Sequence, residues 1–247
     1  MRRLIVQLST DKATYKGRVM LCSAGVHEEV GHLVSKRVPE SERASVRVLD
    51  LGAGSGALIQ RMLDFGFTDV TAWELNPDQL TGFNDIAIEA VNLDDDFGER
   101  TSVSGKFGIV LAVEVIEHLE NPYHFARQLK QLLAPEGFAI ITTPSVESAA
   151  SRIAFLRTGS HRRFGDYGYR EFGHITPLTI FQLSKALERA ELQIVEQSHN
   201  LHGAIIVRDP GPLATYRAAL AAVALYPLML GNRDGDIHVV AAEHVRD

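Results

Sequence analysis

The stretch Val48-Leu49-Asp50-Leu51-Gly52-Ala53-Gly54-Ser55-Gly56 constrains the fold more than any other part of the chain. Val46, Val48, Leu49 and Leu51 read as a short buried strand, and Ala57-Leu58-Ile59 with Met62-Leu63 begin a helix just beyond the glycines. Gly52, Gly54 and Gly56 can take positive φ and carry no Cβ, so backbone can pass within van der Waals distance of a ligand lying over the strand end. Strand, glycine turn and helix together predict a ligand-binding crevice at this turn.

Spacing and one acid select the ligand. A dinucleotide fingerprint needs Gly-x-Gly-x-x-Gly, with its pyrophosphate on the helix N-terminus. Here the pattern is Gly-x-Gly-x-Gly after Asp50, and no lysine follows to complete a phosphate loop. A carboxylate at the strand end repels a pyrophosphate but suits a cationic ligand bearing an ammonium and a sulfonium, as S-adenosylmethionine does. The stretch resembles the first motif of class I S-adenosylmethionine-dependent methyltransferases, and the resemblance extends from about Val46 to about Val195. It is most similar to the branch containing the ubiquinone-biosynthesis O-methyltransferases. The resemblance implies a Rossmann-like α/β fold with helices on both faces of a seven-stranded sheet, order 3-2-1-4-5-7-6, the last strand antiparallel.

The 247 residues, 45% of them hydrophobic, are enough for one α/β domain with insertions and a full core. The formal net charge of −6 supplies no global basic field, so no stable nucleic-acid partner is expected. Cys22 is the only cysteine, which excludes an intramolecular disulfide and fits a reducing cytoplasm. The N-terminal Met1 to Gln7 lacks an apolar core of signal-peptide length. The apolar run Ala218 to Leu230, about 13 residues interrupted by Pro227, is shorter than the ~20 needed to span a bilayer.

In chain order, residues 1–45 form a helical cap, 46–145 the cofactor-binding core, 146–176 a substrate-side insertion, and 177–247 the remaining half of a single domain. Ala24 to Val38 has the polarity of a surface helix over the cofactor crevice. His27-Glu28 followed by His32 imitates a zinc-protease motif, but the two histidines stand about 140° apart on a helix and read as surface residues. Asp69 to Glu74 is a second strand, and Asn76 with Pro77 and Gln79 predicts a helix start. Glu74 therefore sits at a strand's carboxyl end facing the glycine crevice, where a carboxylate can accept hydrogen bonds from both ribose hydroxyls. Ile86 to Leu93 carries the tail of that helix and a weak third strand, followed by Asp94-Asp95-Asp96.

Phe107 to Val113 is a buried fourth strand, and Asn121-Pro122 opens a helix with the apolar stripe Phe125, Leu129, Leu132 and Leu133. Ala134-Pro135-Glu136-Gly137 turns the chain into a fifth strand, Phe138 to Thr143. From Val146 to Phe172 arginines 152, 157, 162, 163 and 170 and His161 alternate with aromatics, which could hold an anionic or aromatic acceptor or form a solvated basic helix. Thr176 and Pro177 predict a further helix start, Leu192 to Val195 a sixth strand and Ile237 to Ala241 a seventh. The apolar residues 211–231 read as a helical hairpin on the sheet, a dimer contact or a peripheral membrane contact. Monomer and homodimer are both compatible with this pattern.

Carried over to matching positions, the resemblance implies that Asp50, Gly52 and Gly54 hold the methionine portion of the cofactor, Glu74 the ribose, and Asn92 or Asp94 the adenine. Ala53, Gly56, Leu75, Leu93, Val113 and Glu114 complete its surroundings. Glu114, Glu117 and His118 stand at i, i+3 and i+4, so a helical segment would place them on one face. With His174 they form a candidate set for a divalent ion, Mg or Zn. Relatives that methylate catechol-like quinone precursors, or the terminal ribose of small RNAs, use a similar constellation. Such an ion would lower the pKa of an acceptor hydroxyl; without one, His118 or His174 would act as general base, beside Glu117. The expected activity is methylation of a small-molecule acceptor, most readily at a hydroxyl oxygen. RNA ribose 2′-O-methylation and a non-catalytic cofactor-binding partner subunit are the alternatives.

Overall fold

The computed structural model describes residues 13–100, 105–200 and 235–245. A hairpin of β1 (Thr14–Tyr15) and β2 (Arg18–Val19) precedes α1 (Val26–Arg37), β3 (Arg47–Leu51), α2 (Ala57–Asp64), β4 (Asp69–Glu74) and β5 (Ala87–Ala90). Then come β6 (Phe107–Val113), α3 (Pro122–Leu132), β7 (Leu133–Pro144), α4 (Ala149–Thr158), α5 (Asp166–Phe172), α6 (Ile180–Arg189), β8 (Leu192–His199) and β9 (Ile237–His244). Seven strands form one sheet in the order β5-β4-β3-β6-β7-β9-β8. All pairs are parallel except those of β9, which runs antiparallel to both β7 and β8. This is the expected seven-strand order.

The sheet is covered on both faces, as a largely parallel sheet requires. Because side chains alternate along a strand, Leu49 and Leu51 face Trp73, Val110 and the α3 and α6 residues Leu129 and Leu183. Val48 faces the opposite side, with Val70, Ile109, Leu111 and the α1 and α2 residues Val26, Val30 and Ile59. Trp73 anchors the first face through edge-on contacts with Phe97 and Phe107, at centroid distances of 6.2 and 6.4 Å. By the same alternation Asp50 and Glu74 project toward the α1 side. Their strands end together, Leu51 pairing with Trp73.

Several local expectations are corrected. Helix α1 is not a surface helix: Val26, Val30, Leu33 and Val34 are fully buried, and His27 is buried with them while His32 stays exposed. Asn76 caps no helix. Pro77–Gln79 is a single 3-10 turn without a side-chain cap, and the chain then runs through turns into β5. Asn121 does cap α3, its side chain accepting from the amides of Tyr123 and His124.

Strand β7 starts at Leu133 rather than Phe138, because Phe107 pairs with Leu133 and Ile109 with Phe138, so residues 134–137 bulge from a continuing strand. Helix α6 starts after Thr179, where Thr179 and Gln182 cap each other reciprocally, and not at Thr176. The Thr176 hydroxyl donates instead to the Leu119 carbonyl. Strands β8 and β9 are each longer than their sequence pattern indicates. The hairpin was not expected; Lys16 and Gly17, at φ 47° and 81°, make its turn. The apolar residues 211–231 lie outside the described residues, and among the described residues no helix is long and apolar enough to cross a membrane.

Candidate functional site: a glycine-loop cleft beside a carboxylate and two histidines

The glycine turn after β3 has the conformation its residues allow. Gly52, Gly54 and Gly56 all have positive φ, at 68°, 54° and 77°. At Gly52 and Gly56 space is also limiting: a Cβ would lie 2.7 Å from Val115 Cγ2 or 2.4 Å from the Phe83 ring. Gly52 and Ala53 donate their amides to the Trp73 carbonyl, and Gly54 donates to Glu74 Oε2 at 2.8 Å. The loop is thus tied to the carboxyl end of β4.

A small cleft opens over this turn, lined by Asp50, Gly52, Ala53, Gly54, Ala57 and Val113 from the core elements. Its other wall comes from Val19, Leu21 and Cys22, which no motif marks, and from His27, which the sequence pattern places on the surface. The hairpin is fastened across the loop: Ser55 Oγ donates to the Val19 carbonyl, Arg18 Nη1 to the Ser55 carbonyl, and the Arg18 guanidinium stacks 3.8 Å over Phe83. Only the Lys16-Gly17 pair in the sequence hinted at it.

Asp50 is 3% exposed, and its Oδ2 has no hydrogen-bond partner among the described residues. Burial, and then the charge of Glu74, push its carboxyl up to about 8. A buried acceptor facing a cleft with no donor of its own fits a cationic amino group. Cys22 is also affected by burial, and then by Glu114, which together raise its thiol to about 12 and leave it unreactive.

The predicted adenine side is a solvated turn. Leu75 is exposed, Leu93 is part of the core, and Asn92 Oδ1 accepts from the Asp94 amide at 3.1 Å. Asp94 Oδ1 accepts from the Glu120 amide at 2.9 Å. The turn lies at the same sheet edge as Glu74, whose carbonyl accepts from the Val91 amide.

Beyond Val113 the chain does not continue as a helix. Glu114 sits at φ 55°, and a 3-10 turn starts only at Ile116, so Glu114, Glu117 and His118 share no helical face. Of the four residues expected around an ion, Glu117, His118 and His174 offer ligand atoms within 4.8 Å of one another, while the carboxylate of Glu114 is engaged elsewhere. Its carboxylate accepts from the Thr142 hydroxyl at 3.2 Å and lies 3.9 Å from Arg163 Nη1. Burial raises its carboxyl to about 7 against the pull of Arg163 and Thr142.

Glu117 is fully buried, and neither carboxylate oxygen has a hydrogen bond of ordinary geometry. Burial and then Glu114 hold its carboxyl well above the usual range, with Thr143 only partly offsetting them. Its backbone carbonyl accepts from the amides of Ile175 and Thr176, which brings His174 alongside. The rings of His118 and His174 meet edge-on at 4.8 Å, and Phe164 and Phe172 pack on His174 at 5.5 Å each.

Burial lowers the pKa of both imidazoles, that of His174 to about 4 with help from His118 and Arg163. His118 Nδ1 lies 3.3 Å from the Gly173 carbonyl, so the proton belongs on Nδ1 and the Nε2 lone pair remains available. Two neutral imidazoles and a buried carboxylate without a donor fit a divalent ion of borderline softness.

The basic insertion is only partly available to an acceptor. Arg162 Nη1 donates to both carboxylate oxygens of buried Asp236, at 2.7 and 2.8 Å, and Arg163 Nη2 donates to Ser23 Oγ and Asp236. Arg170 pairs with exposed Asp166, while Phe155, Tyr167 and Tyr169 stay exposed.

Comparison with known proteins agrees with this architecture. A family model described as a methyltransferase domain matches residues 24–197. A ubiquinone biosynthesis O-methyltransferase from Xanthomonas oryzae pv. oryzae is 30% identical over 170 residues, covering 64% of this chain and 67% of the relative. One from a Caulobacter species is 34% identical over 106 residues, covering 40% of each. The magnesium protoporphyrin IX methyltransferase of Synechocystis, crystallised with bound S-adenosylhomocysteine, superimposes with a TM-score of 0.53 at 13% identity, over 88% of this chain and 82% of that one. With the family model spanning most of the chain and the sheet order reproduced, the chain belongs to the family of S-adenosylmethionine-dependent methyltransferases.

Proposed function

We propose that this methyltransferase acts on a hydroxyl oxygen of a small-molecule acceptor. The observation that carries the reading is the cluster of Glu117, His118 and His174, which adjoins Val113 of the cofactor cleft through the short segment 114–116. Relatives named as O-methyltransferases support the same chemistry. In this reading Asp50 receives the cofactor's amino group, the glycine turn lies along it and Glu74 holds its ribose.

The sulfonium is already activated, so the protein's task is to align oxygen, methyl carbon and sulfur and to exclude water. With no ion bound, His118 Nε2 takes the acceptor's hydroxyl proton as the O–C bond forms and the S–C bond breaks, with the S–C electron pair returning to sulfur. His174, neutral and enclosed by Phe164 and Phe172, shapes the dry wall on the acceptor side. Glu117, His118 and His174 would hold a divalent ion, which when bound would polarise the acceptor oxygen. His118→Ala is expected to lower the rate by 10²–10⁴-fold while cofactor affinity stays within about twofold.

The test is transfer of an isotopically labelled methyl group to a panel of catechols and phenols, run with and without added Mg or Zn, with a short RNA as a separate arm. Label on a small-molecule oxygen supports the reading. Label on RNA ribose, on nitrogen or on carbon overturns it.

A further inference from the structure

We propose that His27, on the first turn of α1, reads the carboxylate of the cofactor's methionine end, opposite the amino group received by Asp50. The inference rests on the cofactor reading above and adds a residue outside every motif that supports it. His27 is 5% exposed, lines the cleft together with Asp50 and the glycine turn, and its Nδ1 is buried without a partner among the described residues. Asp50 Oδ2, in the same cleft, is likewise without a partner. Strand alternation puts Asp50 on the sheet face that α1 covers, where Val26 and Val30 pack with Val48. Two orphaned polar groups, an acceptor and an imidazole, therefore meet in one small cleft beneath a single helix end.

An unpartnered buried polar atom is costly, and a native structure keeps it where a ligand completes the bond. The amino-acid end of S-adenosylmethionine carries an ammonium and a carboxylate on one carbon. Asp50 can accept from the first, and an imidazole N–H can donate to the second in a charge-assisted bond. The first turn of α1 adds its positive dipole end on the same side. The other cleft-lining side chains outside the core elements, Val19, Leu21 and Cys22, offer no such donor.

The experiment compares two ligands that differ only in that carboxylate, S-adenosylmethionine and its decarboxylated form, on wild-type protein, His27→Ala and His27→Asn. Calorimetry supplies each affinity, and the melting temperature of each unliganded protein verifies folding. His27→Ala is expected to weaken S-adenosylmethionine by about tenfold or more while changing the decarboxylated ligand by less than about twofold. His27→Asn, whose amide lies near the Nδ1 position, is expected to recover part of the loss. Equal weakening of both ligands, or no weakening, overturns the assignment and leaves the cofactor reading intact. Wild-type protein that binds neither ligand overturns the cofactor reading and the assignment with it.

Discussion

The carboxylate of Glu74 accepts the backbone N–H of Gly54 at 2.8 Å through Oε2, while Oε1 accepts the amide of Asn76 at 3.2 Å. One side chain at the end of β4 therefore fixes the glycine turn after β3 and begins its own following turn. Glu74→Ala removes both charge-assisted bonds and is expected to destabilise the unliganded protein by about 1–3 kcal/mol, measured by urea unfolding. A change below about 0.5 kcal/mol would mean that the turn holds its shape without Glu74.

Asp50 gives the account a pH signature. Its folded-state carboxyl, raised to about 8 by burial and then by Glu74, lies above its unfolded value of 3.8. The folded protein thus binds the extra proton between those values, and the associated stability is lost as pH rises through the folded pKa. Asp50→Asn is expected to raise the unliganded melting temperature, more at pH 8 than at pH 5.

A cationic amino group beside Asp50 lowers its pKa again, so cofactor binding releases a proton and tightens as pH rises from about 6 to 8. Calorimetry in buffers of different ionisation heat measures that proton. Proton uptake on binding would contradict the placement of Asp50.

The basic insertion is held by Asp236, whose side chain is 3% exposed while that of Arg162 is 26% exposed. Asp236→Ala leaves the two guanidiniums of Arg162 and Arg163 without their shared carboxylate. The expected cost is about 3 kcal/mol, because breaking a buried pair strands the partner charge. Denaturant unfolding checks it, and a loss under about 1 kcal/mol would show that the insertion is held by other contacts.

Glu117 separates a metal site from a purely structural one. Glu117→Gln is expected to abolish stoichiometric binding of Zn or Mg, read by calorimetry on chelator-treated protein, and to leave the metal-free melting temperature nearly unchanged, because burial and Glu114 already favour the neutral form of this carboxyl and the amide is close to it in shape. Undiminished metal binding by the variant would move the ion to other residues.

The parts of this account legible in the sequence are those set by backbone constraint. The sheet order followed from a family motif series, and the acid-glycine turn from Gly52, Gly54 and Gly56, whose positive φ any such turn needs. Local start signals were less secure: Asn76-Pro77 and Thr176-Pro177 have the composition of helix starts, yet the first opens only a 3-10 turn without a side-chain cap, and the second yields the start to the reciprocal Thr179–Gln182 cap while the Thr176 hydroxyl bonds the Leu119 carbonyl. The spacing of Glu114, Glu117 and His118 suggested one helical face, but the left-handed φ of Glu114 broke it and sent that carboxylate to Arg163. The wall formed by Leu21, Cys22 and His27 was illegible because it depends on how α1 packs against the sheet, and a lone histidine in an amphipathic helix carries no mark of what it faces.

The most direct measurement of the central claim is a calorimetric titration of S-adenosylhomocysteine into wild-type protein and into Glu74→Ala at low salt. The account predicts saturable one-to-one binding by the wild type and a loss of about tenfold or more in the variant, since two ribose hydroxyls lose a charged acceptor. No binding to the wild type, or equal affinity in the two proteins, would contradict it.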